Sequence, residues 1–425
     1  MFKKILCLVL ITSTLIFNTS IVYADIEDEI IDINENEEII QASNNINDEP
    51  ILNSRIAVAY DRKTGTVIWG KNENKRSAMA STTKIMSALL LIENADLSQE
   101  VVISQKAGGT GGSRLGLKKG DKITLNDLLY GLMLKSGNDA AVAIAETVGG
   151  DLDNFAEMMN NKAHEIGLEN THFVTPHGLD NPEHYTTAYE LAKLADYAMK
   201  NEIFAQVVNT KNYTVTINGY PKNISNTNEL LGNLEGVNGV KTGFTNNAGR
   251  CLVTSVNRNG FEIITVVLQA DTKKNRTADS INLINYIYEN YELINLKEIV
   301  DNEFERWCQL NRNRICVNKS NGESMKLYIS NLDNEIIPVK KNKKDYIHIE
   351  INSIYNFEAP VVKDTIIGSM KVLLDGKVID VVEIKNENEI RKRNIKDYIK
   401  VFALDISKTN IIDFWEITLN NYVTV

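Results

Sequence analysis

From Gly236 onward the hydrophobic period of the chain switches to two. Val237 to Thr245, Cys251 to Val256 and Phe261 to Leu268 read as strands, with Asn259-Gly260 a tight turn between the last two. Near the other end, Ile56-Ala57-Val58-Ala59-Tyr60 and Thr66-Val67-Ile68-Trp69 flank a turn from Asp61 to Gly65, the pattern of a β-hairpin. Helical spacing fills the interval: the stretch headed by Ser81, then Leu125 to Leu134, Ala140 to Val148, Phe155 to Ile166 and Thr187 to Met199. An amphipathic helix from Arg276 to about Tyr291 closes the segment. Strands, helices, then strands again make an α+β order, an antiparallel sheet with a helical cluster packed against it.

After about Asn295 strand-like runs recur as far as Ile384, and Asp375-Gly376 between Met370–Leu374 and Val378–Ile384 is a hairpin signal. A smaller all-β domain is expected there. From Arg391-Lys392-Arg393 a basic amphipathic helix is expected, with Ile395, Tyr398, Ile399 and Phe402 on one face. It suits an anionic membrane surface or its own β domain, and the apolar Ile411 to Val425 extends either contact. At the N-terminus, Lys3-Lys4, the apolar run Ile5 to Phe17 and Val22-Tyr23-Ala24 form a signal peptide, with an uncleaved anchor as the alternative. Ten carboxylates and no basic residue lie between Asp25 and Pro50, an acidic spacer. The expected boundaries are 1–24 signal peptide, 25–51 leader, 52–294 catalytic domain, 295–388 β domain and 389–425 tail. The protein is expected to be exported, to the outer face of the cytoplasmic membrane or the cell wall.

A net charge of -10 argues against a nucleic-acid partner. Removing Cys7 with the signal leaves Cys251, Cys308 and Cys316, of which Cys308 and Cys316 are the only pair placed to bridge a turn. His164, His172, His177 and His184 lack metalloprotease spacing, so no metal and no cofactor is expected.

Three short motifs carry chemistry. Ser81-Thr82-Thr83-Lys84 opens an apolar helix, which puts a hydroxyl beside an amine one turn later. Serine is a weak nucleophile until a base takes its proton, and an amine does so if burial or a cation favours its neutral form. Ser136-Gly137-Asn138 lies in a polar loop between two apolar helices, where Asn138 or Asp139 is a candidate cap. Lys241-Thr242-Gly243 lies on a strand. A second copy, Lys63-Thr64-Gly65, falls in the first hairpin turn and is assigned no role. The glycine-rich Gly108–Ser113 either borders a cleft or merely connects elements.

Those three motifs, in that order, are the set of penicillin-recognising serine enzymes. With Leu128-Leu129-Tyr130-Gly131, Thr175-Pro176-His177-Gly178-Leu179 and Gly239–Thr245, the chain resembles the low-molecular-mass penicillin-binding proteins that are serine D-alanyl-D-alanine carboxypeptidases. The resemblance covers roughly Leu52 to Leu296. It implies that Ser81 attacks the bond between two D-alanines of a peptidoglycan stem peptide and that β-lactams inhibit the enzyme covalently. It further implies Lys84 as base, Ser136 as proton relay, Asn138 as orienting group and Lys241 as a positive potential. Gly243 belongs to the substrate-binding strand, the N–H groups of Ser81 and Phe244 form the oxyanion hole, and Thr242 and Arg276 bind the terminal carboxylate. Some relatives carry arginine where this chain has Asn226-Thr227-Asn228, so Arg276 is expected to bear more of that task. Two rivals remain, a serine β-lactamase with Glu183 activating the deacylating water and a non-catalytic wall-binding protein.

Overall fold

The computed structural model describes residues 49–400 and 402–404. The signal peptide, nearly all of the leader and Ile411–Val425 lie outside the described residues. The chain divides into two units, residues 1–290 and 291–425.

In the first unit β1 (Ile56–Asp61) and β2 (Thr66–Lys71) form the opening hairpin. Its turn consumes the second Lys-Thr-Gly: the Asp61 carboxylate accepts from Thr64 N at 2.7 Å and Thr64 Oγ1 at 2.6 Å, and Gly65 takes φ +71°. A single 3-10 turn, Ala80–Thr83, runs into α1 (Lys84–Asn94). Two short strands follow, β3 (Glu100–Val102) and β4 (Lys122–Thr124), then α2 (Leu125–Met133), α3 (Asn138–Gly149) and α4 (Leu152–Glu165). Next come α5 (Ala188–Met199), α6 (Glu202–Val208) and the hairpin of β5 (Asn212–Ile217) with β6 (Tyr220–Ser225). The unit closes with β7 (Val237–Thr245), β8 (Gly249–Arg258), β9 (Phe261–Ala270) and α7 (Lys273–Asn290).

The main sheet is antiparallel in the order β2-β1-β9-β8-β7, so the two ends of the unit meet where β1 pairs with β9. All six residues of β1 are buried, as are six consecutive residues in each of β8 and β9. A strand with no alternation of burial needs cover on both faces. Helices α5 and α7 supply it, each packing on β1 and β9. Residues Lys84 to Leu91 of α1 are buried without a break, which places this helix in the middle of the helical cluster. β7 has a strand neighbour on one side only, and its open edge faces the head of α1.

In the second unit β10 (Tyr291–Asn295) leads into α8 (Leu296–Asn311), a helix that the strand reading from Asn295 onward does not include. Its stripe of Leu296, Ile299, Val300, Phe304 and Trp307 packs into the β-domain core, and Asn295 caps it by accepting from Glu298 N at 3.2 Å. The expected strands follow: β11 (Cys316–Asn318), β12 (Leu327–Ile329), β13 (Ile336–Lys340), β14 (Ile347–Ser353), β15 (Asn356–Glu358), β16 (Ile366–Leu374) and β17 (Lys377–Asn386). Four of them form a sheet in the order β12-β17-β16-β14, turned at Asp375-Gly376, where both residues have positive φ as a two-residue hairpin demands. Cys308 and Cys316 are free thiols, and Cys251 is buried in the first unit. The terminal helix begins at Ile395 rather than Arg391, because Asn394 caps it and Arg391 instead pairs with Asp397.

Candidate active site

Ser81 sits in the 3-10 turn ahead of α1 rather than within an α-helical turn. Thr82 Oγ1 donates to Met79 O at 2.6 Å and Thr83 Oγ1 to Ala80 O at 2.8 Å, so the two threonines brace the turn from inside. The outcome expected of the spacing survives: Lys84 Nζ lies 2.7 Å from Ser81 Oγ, on a side chain with no solvent exposure. Lys84 also donates to Asn138 Oδ1 at 2.8 Å and His177 O at 2.9 Å. Both of those oxygens can only accept, so each holds an N–H; in the neutral amine the lone pair is then left for the Ser81 hydroxyl.

Asn138 is the first residue of α3 and caps nothing. Gly137 is the N-cap, and neither Asn138 nor Asp139 holds that position: the Asn138 side chain turns to the neighbouring loop, and that of Asp139 holds the loop and accepts from the adjacent Ala140 N at 3.0 Å. Asn138 Nδ2 donates to Gly111 O at 2.8 Å and its backbone N to Ser113 O at 2.7 Å, which fixes the amide with its oxygen toward Lys84. Asp139, fully buried, accepts from the backbone N–H groups of Leu115 at 2.8 Å, Gly116 at 2.8 Å and Leu117 at 2.9 Å. The glycine-rich segment therefore borders the cleft, held by Asn138 at Gly111, while Asp139 holds Leu115 to Leu117 just beyond it.

A cavity of about 280 Å³ opens above Ser81. Ser136, held at φ +60°, forms one wall together with Gly112 and Ser113. Thr242, Gly243 and Phe244 of β7 form another, and Thr227 adds to it with its hydroxyl 2.7 Å from that of Thr242. Gly243 is a glycine for a local reason: a Cβ there would stand 3.1 Å from Ser81 N. Lys241 is buried beneath the wall and donates to Thr242 O at 3.0 Å.

Arg276 is the expected substrate contact that the structure does not bring to the cavity. Its side chain is buried on α7, with Nη2 donating to Glu229, which also accepts from Thr277 Oγ1. Glu183 is exposed and absent from the cavity walls.

The histidine cluster has structural work. His184 Nδ1 accepts from Val174 N at 2.9 Å, which leaves Nε2–H to donate to Thr83 Oγ1 at 2.7 Å. Burial pushes its pKa down to about 4. His177 is pushed down to about 3, by burial first and then by the Lys84 charge. Between them Gly178 (φ +86°) passes so near the Ser81 turn that a Cβ would lie 1.9 Å from Ala80 O. Among the described residues no three His, Cys, Asp or Glu side chains converge as a metal site.

Spacing reveals the three motifs, whereas it does not reveal the acceptor role of the His177 carbonyl, the pairing of Thr227 with Thr242 or the hold of Asp139 on the 115–117 loop. Asp139 alone carries a signal, as an acidic residue at the head of an apolar helix.

Residues 43–272 match the family described as D-alanyl-D-alanine carboxypeptidase. The chain belongs to this family. It is a serine hydrolase of the low-molecular-mass penicillin-binding class. Residues 313–392 match the C-terminal domain of penicillin-binding protein 5. The D-alanyl-D-alanine carboxypeptidase DacF of Bacillus subtilis is 32% identical over 356 residues, 82% of this chain and 88% of that protein. Among solved structures, the carboxypeptidase DacD of Francisella tularensis superposes with a TM-score of 0.65 at 26% identity, covering 83% of this chain and 98% of that one. Penicillin-binding protein 5 of Haemophilus influenzae gives 0.63 at 26% identity, over 81% and 99% respectively.

Proposed function

We propose that Ser81 is the nucleophile that removes the terminal D-alanine from peptidoglycan stem pentapeptides. The observation that carries this is the 2.7 Å contact between Lys84 Nζ and Ser81 Oγ at the floor of the cavity edged by β7. Lys84 takes the Ser81 proton as the oxygen attacks the carbonyl carbon of the penultimate D-alanine. The backbone N–H groups of Ser81 and Phe244 hold the resulting oxyanion. As the C–N bond breaks, Ser136 passes a proton to the leaving amine and D-alanine departs. Lys84 then activates water, which hydrolyses the ester and restores Ser81. Lys241 places positive potential beside these steps, and the open edge of β7 offers backbone hydrogen bonds to an extended peptide.

A β-lactam enters by the same attack, and its opened ring remains tethered to the acyl group. The β-lactamase alternative needs a carboxylate at the deacylating water, and no Asp or Glu lines this cavity. Incubation with a β-lactam should add one drug mass to the peptide containing Ser81, and D-alanine should be released from a pentapeptide mimic. Ser81→Ala should abolish both; release that survives in Ser81→Ala sinks the assignment.

The signal-like N-terminus supports export. Ile395, Tyr398, Ile399, Phe402 and Leu404 of the terminal helix are all more than half exposed, which favours a membrane surface over packing on the β domain. None of the described helices is long and apolar enough to cross a bilayer. Deletion from Arg391 onward should free the enzyme from membranes with soluble activity intact; retention refutes the anchor.

A further inference from the structure

Ala80, the residue before Ser81, takes φ +48°, a left-handed value that an L residue keeps only where its surroundings hold it. Two glycines from distant segments press on it. A Cβ on Gly243 of β7 would lie 3.2 Å from the Ala80 Cβ and 3.1 Å from Ser81 N, and one on Gly178 would lie 1.9 Å from Ala80 O. The strained turn that carries the nucleophile is thus gripped by both β7 and the 173–184 segment. Contacts this close limit how near the backbones can come, and do little to keep them from parting.

A polar link closes the grip. Asp180 stands two residues beyond Gly178 and Thr245 two beyond Gly243, and Thr245 Oγ1 donates to Asp180 Oδ1 at 2.5 Å. The same hydroxyl oxygen accepts from Ala248 N at 3.1 Å, and Asn247 N lies 3.4 Å from Asp180 Oδ2, so the carboxylate also meets the turn that follows β7. A hydroxyl donating to a carboxylate is among the stronger hydrogen bonds. Phe244 lies between Gly243 and Thr245, and its N–H is the one that the oxyanion hole pairs with that of Ser81. The hole therefore draws its donors from two segments, and its width depends on how firmly they are held together. We propose that Asp180 is a positioning residue for this hole: by holding Thr245 it keeps β7 closed on the Ser81 turn, with the N–H of Phe244 at its working distance from that of Ser81. This rests on the carboxypeptidase reading and adds to it a residue outside the three motifs. Asp180 is absent from the cavity walls and acts through Thr245.

Asp180 is exposed, so its loss should spare the fold. Asp180→Ala should slow β-lactam acylation about tenfold with little change in thermal unfolding, since removing a whole oxyanion donor costs about a hundredfold or more and a displaced donor keeps part of its effect. Asp180→Asn retains an acceptor for the Thr245 hydroxyl and should recover most of the rate. Thr245→Val should slow acylation to a similar degree, and the double variant should be no slower than the worse single one, because both changes open one link. A peptide boronic acid, whose tetrahedral adduct at Ser81 puts an oxygen in the hole, should lose affinity by the same factor as the rate. An unchanged rate in Asp180→Ala overturns the proposal, and so do additive losses in the double variant. A rate loss with boronate affinity intact overturns it too, because the effect then lies at the base rather than the hole. A loss that Asp180→Asn fails to recover marks a purely structural role and has the same consequence. Release of D-alanine from a pentapeptide by the wild-type enzyme is measured alongside. If that release fails, the carboxypeptidase reading falls; if it occurs and Asp180→Ala acylates normally, only the role of Asp180 falls.

Discussion

The Asn138 side chain is held at both ends, its oxygen 2.8 Å from Lys84 Nζ and its nitrogen 2.8 Å from Gly111 O. It thus couples Lys84, the proposed general base, to the loop that walls the cavity. Asn138→Ala should leave Lys84 short of one acceptor and slow β-lactam acylation by about a hundredfold or more, the scale of a misplaced general base. Stopped-flow acylation checks this, with Asn138→Asp as comparison, since it keeps the acceptor toward Lys84 and loses the donor toward Gly111. Equal rates in Asn138→Ala and wild type would remove Asn138 from the machinery.

Asp139 should matter as much as the motif residue before it. Its buried carboxylate satisfies three consecutive N–H groups, and Asp139→Ala would leave those of the buried Leu115 and Leu117 without that partner. A loss on the order of 3 kcal/mol is expected from urea unfolding, because hydrogen bonds to a charged acceptor are worth roughly 1.5–3 kcal/mol each and the loop relaxes in part. Acylation should fall too, since Gly112 and Ser113 line the cavity. Unchanged stability would mean the loop is held by its other contacts.

What is legible in the chain is what depends on neighbours in sequence. The strands around Lys241 and the hydroxyl–amine pair of Ser81 and Lys84 follow from period and spacing, and the structure places them as expected. The partnership of Arg276 with Glu229, 47 residues away, has no local signature, so the sequence does not announce it. The His177 carbonyl is a backbone atom, which no residue type announces. Helix α8 is hidden for another reason. Its apolar stripe is interrupted by Glu298, Asp301, Glu303 and Glu305, charges that leave the helix polar on average.

Gly178 faces a backbone oxygen rather than a flexible side chain, so nothing near it can yield cheaply. A Cβ at 1.9 Å from Ala80 O must push the 173–184 segment off the Ser81 turn, and φ +86° adds strain for any L residue. Gly178→Ala should cost roughly 2–4 kcal/mol, in the range of overpacking with backbone displacement, and lower acylation through the His177 carbonyl. At Gly243 the nearest contact is a milder 3.1 Å from Ser81 N, so Gly243→Ala should impair acylation more than folding. Thermal unfolding and acylation rates measured on both variants check the contrast; the reverse order would mean that the turn, not the strand, is the adaptable partner.

His184 ties the same segment to Thr83 and must stay neutral to do so. Its Nδ1 is an acceptor from Val174 N, and a proton there would set two donors face to face. The folded pKa of about 4 lies below the ordinary 6.5, so between those values the unfolded chain binds more protons than the folded one. Stability then rises with pH across that window: the contribution is complete above about pH 6.5 and is lost as pH falls toward 4. His177, depressed to about 3, acts in the same direction and extends the loss lower. Unfolding free energy measured by urea at pH 7 and pH 5 should therefore fall at the lower pH. His184→Gln should be less stable at pH 7 and show a shallower decline, because one of the two titrating groups is gone. A slope as steep in His184→Gln as in the wild type would show that acid acts elsewhere in the fold.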